Sequence, residues 1–293
     1  LKRLPAYQQR VKALVDERLL ELCRTDDPRR AKPHRAMEHT LRAGGKRLRP
    51  LLFFAACEVC GARPETFLDA ACAVELVHTA SLVLDDLPAM DDARLRRGRP
   101  TLHTVYDEAT AILAAVAELM AAFELLADCP GLKRGRLSRR LSTELARAVG
   151  RDWMIAGQQL DLDSVGRRLE MEELEFIHAA KTGALFIAGA RMGCLCAGAS
   201  DLEIDALTAY AKNLGLAFQI ADDILDVSAS VDELGKDVGK DADKPTFVHL
   251  FGLETSRRVA AELSATSRGA LAAFKRDTTV LDELAAYVLE RRR

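Results

Sequence analysis

The feature that most constrains this chain is a series of long apolar segments at helical spacing, divided by glycine, proline and polar turns. Segments 65–87, 102–126, 170–196 and 202–227 each run for more than twenty residues without an internal break of turn residues. Strands are usually half that length, so these segments predict helices. The same spacing predicts helices at 4–24, 32–43, 50–60, 137–160, 246–252, 254–274 and 279–292. Gly44-Gly45 and Gly61 supply stop signals, and Pro50 opens the helix that follows. Segments 65–87, 102–126 and 170–196 are apolar on most faces, which places them centrally in a bundle. No repeat and no dividing linker is evident, so residues 1–293 read as one all-α domain, a bundle of about ten or more helices.

Charge and cysteine content remove several functions. Lys plus Arg (42) nearly balances Asp plus Glu (44), leaving a net charge of −2, so no global field attracts nucleic acid. The longest apolar stretches, 182–190 and 109–117, are flanked by charges and fall short of roughly 18–20 uncharged residues, which predicts no transmembrane segment. The opening Leu1-Lys2-Arg3-Leu4-Pro5 carries no apolar core of a signal peptide. Seven scattered cysteines predict free thiols in a reducing, cytoplasmic setting. Cys57 and Cys60, in an apolar helical run without a second Cys-x-x-Cys pair, read as small core residues rather than metal ligands.

The chemistry concentrates in two aspartate clusters. The first, Asp85-Asp86-Leu87-Pro88-Ala89-Met90-Asp91-Asp92, ends one apolar helix; the second, Asp222-Asp223-Ile224-Leu225-Asp226, ends another. Asp222 and Asp226 are four apart, so their carboxylates share a helix face about 6 Å apart. Pro88 is expected to let the chain bulge, so that Asp91 returns towards Asp85. Carboxylates at a helix C-terminus oppose the macrodipole and call for a cation, and hard oxygen ligands of this type suit Mg²⁺. Cations accompany both clusters: Lys46, Arg47 and Arg49 in the Gly44–Pro50 turn, Arg94, Arg96, Arg97 and Arg99 after the first cluster, and Lys236, Lys240 and Lys244 after the second. Lys181 interrupts an apolar helix and needs a partner there. Alternating carboxylates and cations match a diphosphate held through Mg²⁺.

In that order, Gly-Gly-Lys-Arg-x-Arg-Pro (44–50), the two aspartate motifs, Arg96-Arg97-Gly98, Lys181-Thr182, Phe218-Gln219 and the Lys236 loop resemble the trans-isoprenyl diphosphate synthases, most of all geranylgeranyl diphosphate synthases of the bacterial carotenoid type. The resemblance runs from about Arg42 to the C-terminal helix and implies an isoprenoid synthase fold, an all-α homodimer with a central cavity between the two aspartate motifs. It implies that Asp85, Asp91 and Asp222 hold about three Mg²⁺ ions around an allylic diphosphate. Asp86, Asp223 and Asp226 support them, with Asp226 also counted among the metal ligands. Asp85, Asp86, Asp91, Lys181 and Asp222 are thereby implied to be catalytic. Arg96, Lys181 and Lys236 would bind the allylic diphosphate; Lys46, Arg49, His78 and Arg97 would bind isopentenyl diphosphate; Thr182 and Gln219 would line the reacting centre.

Ionisation of the allylic diphosphate and attack by the second substrate's double bond would follow, in an apolar cavity that excludes water. Ala80 and Ser81, roughly 6–7.5 Å below Asp85 at 1.5 Å per residue, are small, which favours a C20 over a C15 product. Leu76, Val77, Val116 and Met120 are candidates for a deeper floor. The chain departs from the commoner pattern at Leu84, at Ala115-Val116 and in the shortened loop at Asp241–Thr246. A class I terpene cyclase would lack the 44–50 turn, and a non-catalytic partner subunit would lose one aspartate motif; this chain keeps all of these.

Overall fold

A computed structural model describes residues 2–132, 135–167, 169–228 and 246–290. The described part is a helical bundle: α1 (Leu4–Glu21), α2 (Ala31–Arg42), α3 (Leu48–Val59), α4 (Leu68–Asp85), α5 (Leu102–Val105), α6 (Glu108–Asp128), α7 (Gly135–Val149), α8 (Met154–Asp163), α9 (Met171–His178), α10 (Ala184–Ala197), α11 (Asp201–Ser228), α12 (Phe247–Phe251), α13 (Leu253–Ala270) and α14 (Thr279–Glu290). A two-residue antiparallel hairpin, Leu95–Arg96 with Arg99–Pro100, is the one sheet among the described residues. Arg97 (φ 54°) and Gly98 (φ 71°) form its turn, and two successive positive φ values are the mark of a tight hairpin whose twist suits its strands.

Two long predicted helices are divided. The 102–126 segment breaks at Tyr106–Asp107, where Asp107 accepts the Thr110 N–H (2.6 Å) and starts α6. An N-cap of this kind competes with helix continuation, and apolar periodicity alone does not reveal it. The 137–160 segment breaks at Gly150–Trp153. The 170–196 segment stays continuous, but Ala179–Gly183 widens into a π-helical turn between α9 and α10. Such widened turns accumulate at functional sites, and this one contains Lys181 and Thr182.

Helices α3, α4 and α10 form the centre. On α4, Ala70–Val77, Thr79, Ala80 and Val83 are all buried, and small residues let its neighbours approach. Gly193 of α10 lies so close to α3 that an added Cβ would stand 2.5 Å from the Phe53 carbonyl. At one end of the bundle Glu283 of α14 accepts the backbone N–H groups of Lys2, Arg3 and Leu4 (2.7–2.9 Å), capping α1 from across the fold. By length and composition alone, Pro64–Asp85 and Glu108–Asp128 are apolar enough to cross a membrane, contrary to the expectation from uncharged runs. Each carries a buried acid that the run-length count treated as a break, Glu75 and Glu118 respectively.

Val116 and Met120 do not floor a cavity within this chain. They are 47% and 58% exposed and lie with Ile112 and Leu113 on the outward face of α6. Leu76 and Val77 are fully buried, as is Ala80, while Ser81 is half-buried and donates to the His78 carbonyl (2.9 Å).

Glu118, on the inward face of α6, is fully buried. Thr40 donates to its Oε1 (2.6 Å), and Oε2 has no hydrogen-bond partner. Burial pushes its carboxyl from 4.5 up to about 8. The folded value lies above the unfolded one, so this group's contribution to stability declines as pH rises from about 4.5 towards 8. Glu118→Gln keeps an acceptor for Thr40 and removes the ionisation. It should leave the melting temperature nearly unchanged at pH 5 and raise stability by about 1 kcal/mol or more at pH 8. An equal shift at both pH values would contradict a buried, neutral acid.

Candidate active site

The first aspartate cluster turns back on itself. Helix α4 ends at Asp85, and the following loop closes by backbone bonds from Asp91 N to Asp85 O (2.9 Å), Asp92 N to Leu87 O (3.0 Å) and Ala93 N to Asp86 O (3.2 Å). Asp91 therefore stands beside Asp85, the juxtaposition expected from Pro88. Burial pushes the Asp85 carboxyl up to about 6; Lys181 opposes the rise, and neighbouring Asp91 adds to it. Asp86 is buried and paired with Arg96, whose Nε and Nη2 both lie 2.6 Å from one carboxylate oxygen.

The second cluster sits in the last two turns of α11. Asp223 is buried and accepts the Phe247 N–H (2.9 Å) and the Gln219 side-chain amide (3.1 Å). Burial drives its carboxyl up to about 7. Gln219 also accepts the Thr182 hydroxyl (2.9 Å), so Thr182 and Gln219 meet across the π turn and α11. Close packing makes this possible, since a Cβ on Gly215 would lie 3.0 Å from the Gly183 Cα. His178, one turn ahead, has its Nε2 3.9 Å from Asp223, and burial lowers its imidazole to about 4.

Lys181 has the partner that its apolar setting demands: Nζ lies 2.6 Å from Asp161 of α8. Asp161 and its neighbour Gln158 were missed from sequence. Gln158 donates to the Met90 sulfur (3.7 Å) in the first acidic loop, while its buried Oε1 has no hydrogen-bond partner. The available signal was three-residue spacing, which puts Gln158 and Asp161 on one face of a helix. Gly157 is required beside them, because a Cβ there would lie 2.5 Å from the Lys181 nitrogen.

The basic turn 44–50 divides its cations between scaffold and site. Arg47, at φ 50°, is 3% exposed, and its guanidinium reaches Glu75 (2.7 Å), Asp16 (2.7 Å) and the Leu41 carbonyl (2.8 Å). It ties α1, α2 and α4 to the start of α3. Arg49 is different: its buried Nε has no hydrogen-bond partner, and its guanidinium lies over the Phe186 ring at 4.9 Å. Burial lowers Arg49 to about 10, which leaves it charged at neutral pH, within electrostatic reach of Glu75, Arg97 and Asp222. Lys46 lies over the Tyr287 ring at 5.5 Å. Arg97 donates to the Gly44 carbonyl, and Gly45 leaves room for it, since a Cβ would stand 2.5 Å from that guanidinium. His78 is held well below its usual pKa by burial and by Arg49, Arg97, Arg47 and Arg96 around it.

The structure thus gathers His78, Arg49, Arg96 and Arg97 into one basic pocket. It sets Asp91, Arg96 and Lys181 within electrostatic reach of Asp85, and Asp222 within reach of Arg49. Lys236, Lys240 and Lys244 lie outside the described residues. The donor set fits Mg²⁺: it is all oxygen, and burial together with Asp91 makes ionised Asp85 costly until a cation compensates it. Among the described residues no three His, Cys, Asp or Glu side chains close around one point.

Comparison with known proteins decides what this arrangement belongs to. Residues 31–278 match the polyprenyl synthetase family model. The chain is a member of the polyprenyl synthetase family. As such it is a prenyltransferase with an all-α isoprenoid synthase fold. It is 47% identical over 269 residues to the Arabidopsis thaliana heterodimeric geranylgeranyl pyrophosphate synthase large subunit 1, a chloroplast protein, covering 89% of this chain and 72% of that one. To the chloroplastic geranylgeranyl pyrophosphate synthase of Capsicum annuum it is 43% identical, covering 88% and 71%. Among solved structures, an apo FPP/GFPP synthase from Zymomonas mobilis superposes with a TM-score of 0.88 at 33% identity, covering 98% of this chain and 99% of that one. A geranyltransferase from Helicobacter pylori complexed with magnesium and isoprenyl diphosphate gives 0.82 at 33% identity, covering 99% and 97%.

The close contact of α8 with the π turn can be tested in this prenyltransferase. Gly157→Ala forces a Cβ against the Lys181 backbone and is expected to lower kcat/KM about tenfold or more with the helical circular dichroism retained. Wild-type turnover would show that the placement of Lys181 tolerates this displacement.

Proposed function

We propose that the chain condenses isopentenyl diphosphate with an allylic diphosphate and releases the C20 product, geranylgeranyl diphosphate. The observation that carries this reading is the pairing of an acidic rim, Asp85 with Asp91, with two sets of cations, one per diphosphate. Asp85, Asp91, Asp222 and Asp226 would hold Mg²⁺, three ions with substrate bound. The Helicobacter pylori neighbour, complexed with magnesium and isoprenyl diphosphate, supports that use of the metal. Bound there, Mg²⁺ supplies positive charge to the departing diphosphate oxygens.

The chain's own groups do the rest. Lys181, held ready by Asp161, and Arg96, held by Asp86, neutralise the allylic diphosphate, with Lys236 as their third partner. Lys46, Arg49, His78 and Arg97 bind isopentenyl diphosphate. Its charge satisfies the orphaned Arg49 Nε and offsets the arginines that, after burial, hold the His78 pKa down. Asp86 and Asp223 act by holding Arg96 and Gln219 in place rather than as metal ligands. The Thr182 hydroxyl and Gln219 carbonyl turn their dipoles to the developing allylic cation, and apolar walls exclude water.

The C20 product rests on Ala80 and Ser81, both small, and on the curated relatives, which are named for geranylgeranyl pyrophosphate synthesis at 43–47% identity. The working form is a homodimer. Ile112, Leu113, Val116 and Met120, 44–65% exposed, make an apolar stripe along α6 that a second copy would cover. Its setting is a reducing compartment such as the cytoplasm, which suits the seven free cysteines of the structure.

The deciding experiment combines purified protein, Mg²⁺, labelled isopentenyl diphosphate and farnesyl diphosphate. A linear C20 diphosphate, lost on chelation of Mg²⁺, is expected; a cyclised hydrocarbon or no incorporation would contradict the reading. Ala80→Tyr is expected to shift product towards C15, and unchanged C20 would refute this placement of the chain-length stop. In sedimentation the protein should run at twice the 32.1 kDa of one chain, and a monomer would refute the α6 interface.

A further inference from the structure

Far from the acidic rims, at the other end of α3, four cysteines meet across one helix contact. Cys57 and Cys60 close α3, and Cys194 and Cys196 belong to the last turns of α10. The two helices touch backbone to side chain at Gly193, whose carbonyl lies 3.3 Å from the Cys57 sulfur. The Cys60 and Cys194 sulfurs are 3.9 Å apart. All seven cysteines are free, so this contact is between two thiols. A disulfide needs about 2 Å less.

We propose that Cys60 and Cys194 form a reversible disulfide that staples α3 to α10. The pair is asymmetric in the way that such chemistry requires. Cys60 is the C-cap residue of α3 and 9% exposed, whereas Cys194 is fully covered. The Arg276 guanidinium lies over the adjoining Gly61, where an added Cβ would stand 2.7 Å from it. The hydrogen bond between the thiols, aided by Arg276, holds Cys60 below its usual pKa, and the same bond together with burial pushes Cys194 up. Burial pushes Cys23, Cys57, Cys72 and Cys129 up as well, which lowers their thiolate fraction.

The oxidant is a small-molecule disulfide such as oxidised glutathione. The Cys60 thiolate attacks one of its sulfurs, forming a mixed disulfide and releasing one thiol. Cys194, deprotonating as it reacts, attacks the Cys60 sulfur, forms the protein disulfide and releases the second thiol. Two protein thiols are oxidised and one small disulfide is reduced to two thiols. The new bond closes a loop of more than a hundred residues between the helices that carry Arg49 and follow Lys181, so the oxidised protein resists unfolding.

The test is incubation of the full chain with oxidised glutathione, acid quenching, alkylation of remaining thiols and peptide mass mapping. Loss of two alkylatable thiols, a Cys60–Cys194 linked peptide and a melting temperature raised by a few degrees are expected, all reversed by dithiothreitol. Cys194→Ser should stop at the mixed disulfide and retain glutathione on Cys60, while Cys60→Ser should retain none. Seven thiols remaining under these conditions, a linked peptide through other cysteines, or glutathione held by wild type at Cys60 would each overturn the proposal.

Discussion

Like charge gathered at one end of a helical bundle is the constraint to which the rest of this structure answers. Asp85, Asp86 and Asp91 share a few turns of backbone, and Asp222, Asp223 and Asp226 share another. Helix dipoles add to the repulsion at both places. The fold disposes of part of this charge internally: Asp86 takes Arg96, and Asp223 takes two N–H donors. In the proposed reaction Asp85, Asp91, Asp222 and Asp226 would take a divalent cation and, through it, a diphosphate. Such binding would relieve the cost that burial and neighbouring Asp91 place on ionised Asp85.

Cations are divided in the same way between holding and acting. Arg47 is committed to Glu75 and Asp16 and fixes the turn from which Lys46 and Arg49 project. Breaking such a buried pair from one side typically costs about 3–5 kcal/mol, so this guanidinium is unsuited to exchange partners during turnover. Arg49, stacked on Phe186 with an orphaned donor, is suited to it. Lys181 falls between, since its bond to Asp161 orients the ammonium while leaving it half-exposed. Helices α8 and α11 approach the π turn that carries Lys181 and Thr182 through Gly157 and Gly215, where an added Cβ would lie 2.5 and 3.0 Å from its backbone.

Much of this was legible in the sequence because it rests on local rules. Helical periodicity located the long segments, and Pro88 correctly anticipated that the chain would fold Asp91 back on Asp85. What escaped depends on contacts between distant segments. Nothing local distinguishes Arg47 from Arg49; only the arrival of Glu75 and Asp16 makes one structural. Gln158 and Asp161 carried no charge cluster to draw the eye, and their meaning comes from Met90 and Lys181. Val116 and Met120 share the apolar character of a cavity floor, but the helix phase set by Asp107 turns them outward. The Cys57–Cys60 spacing read as packing, which it is, until α10 sets Cys194 beside it.

The central claim is that the two acidic rims hold one diphosphate together. A double-mutant cycle on Asp85→Asn and Asp222→Asn, read by calorimetric binding of a non-ionisable allylic thio-diphosphate at fixed Mg²⁺, tests it most directly. If the rims share the ligand, the double variant will bind almost as well as either single variant, with a coupling of about 1 kcal/mol or more. Additive losses, or full affinity in Asp222→Asn, would mean that the rims act separately and that the second is not part of the diphosphate clamp.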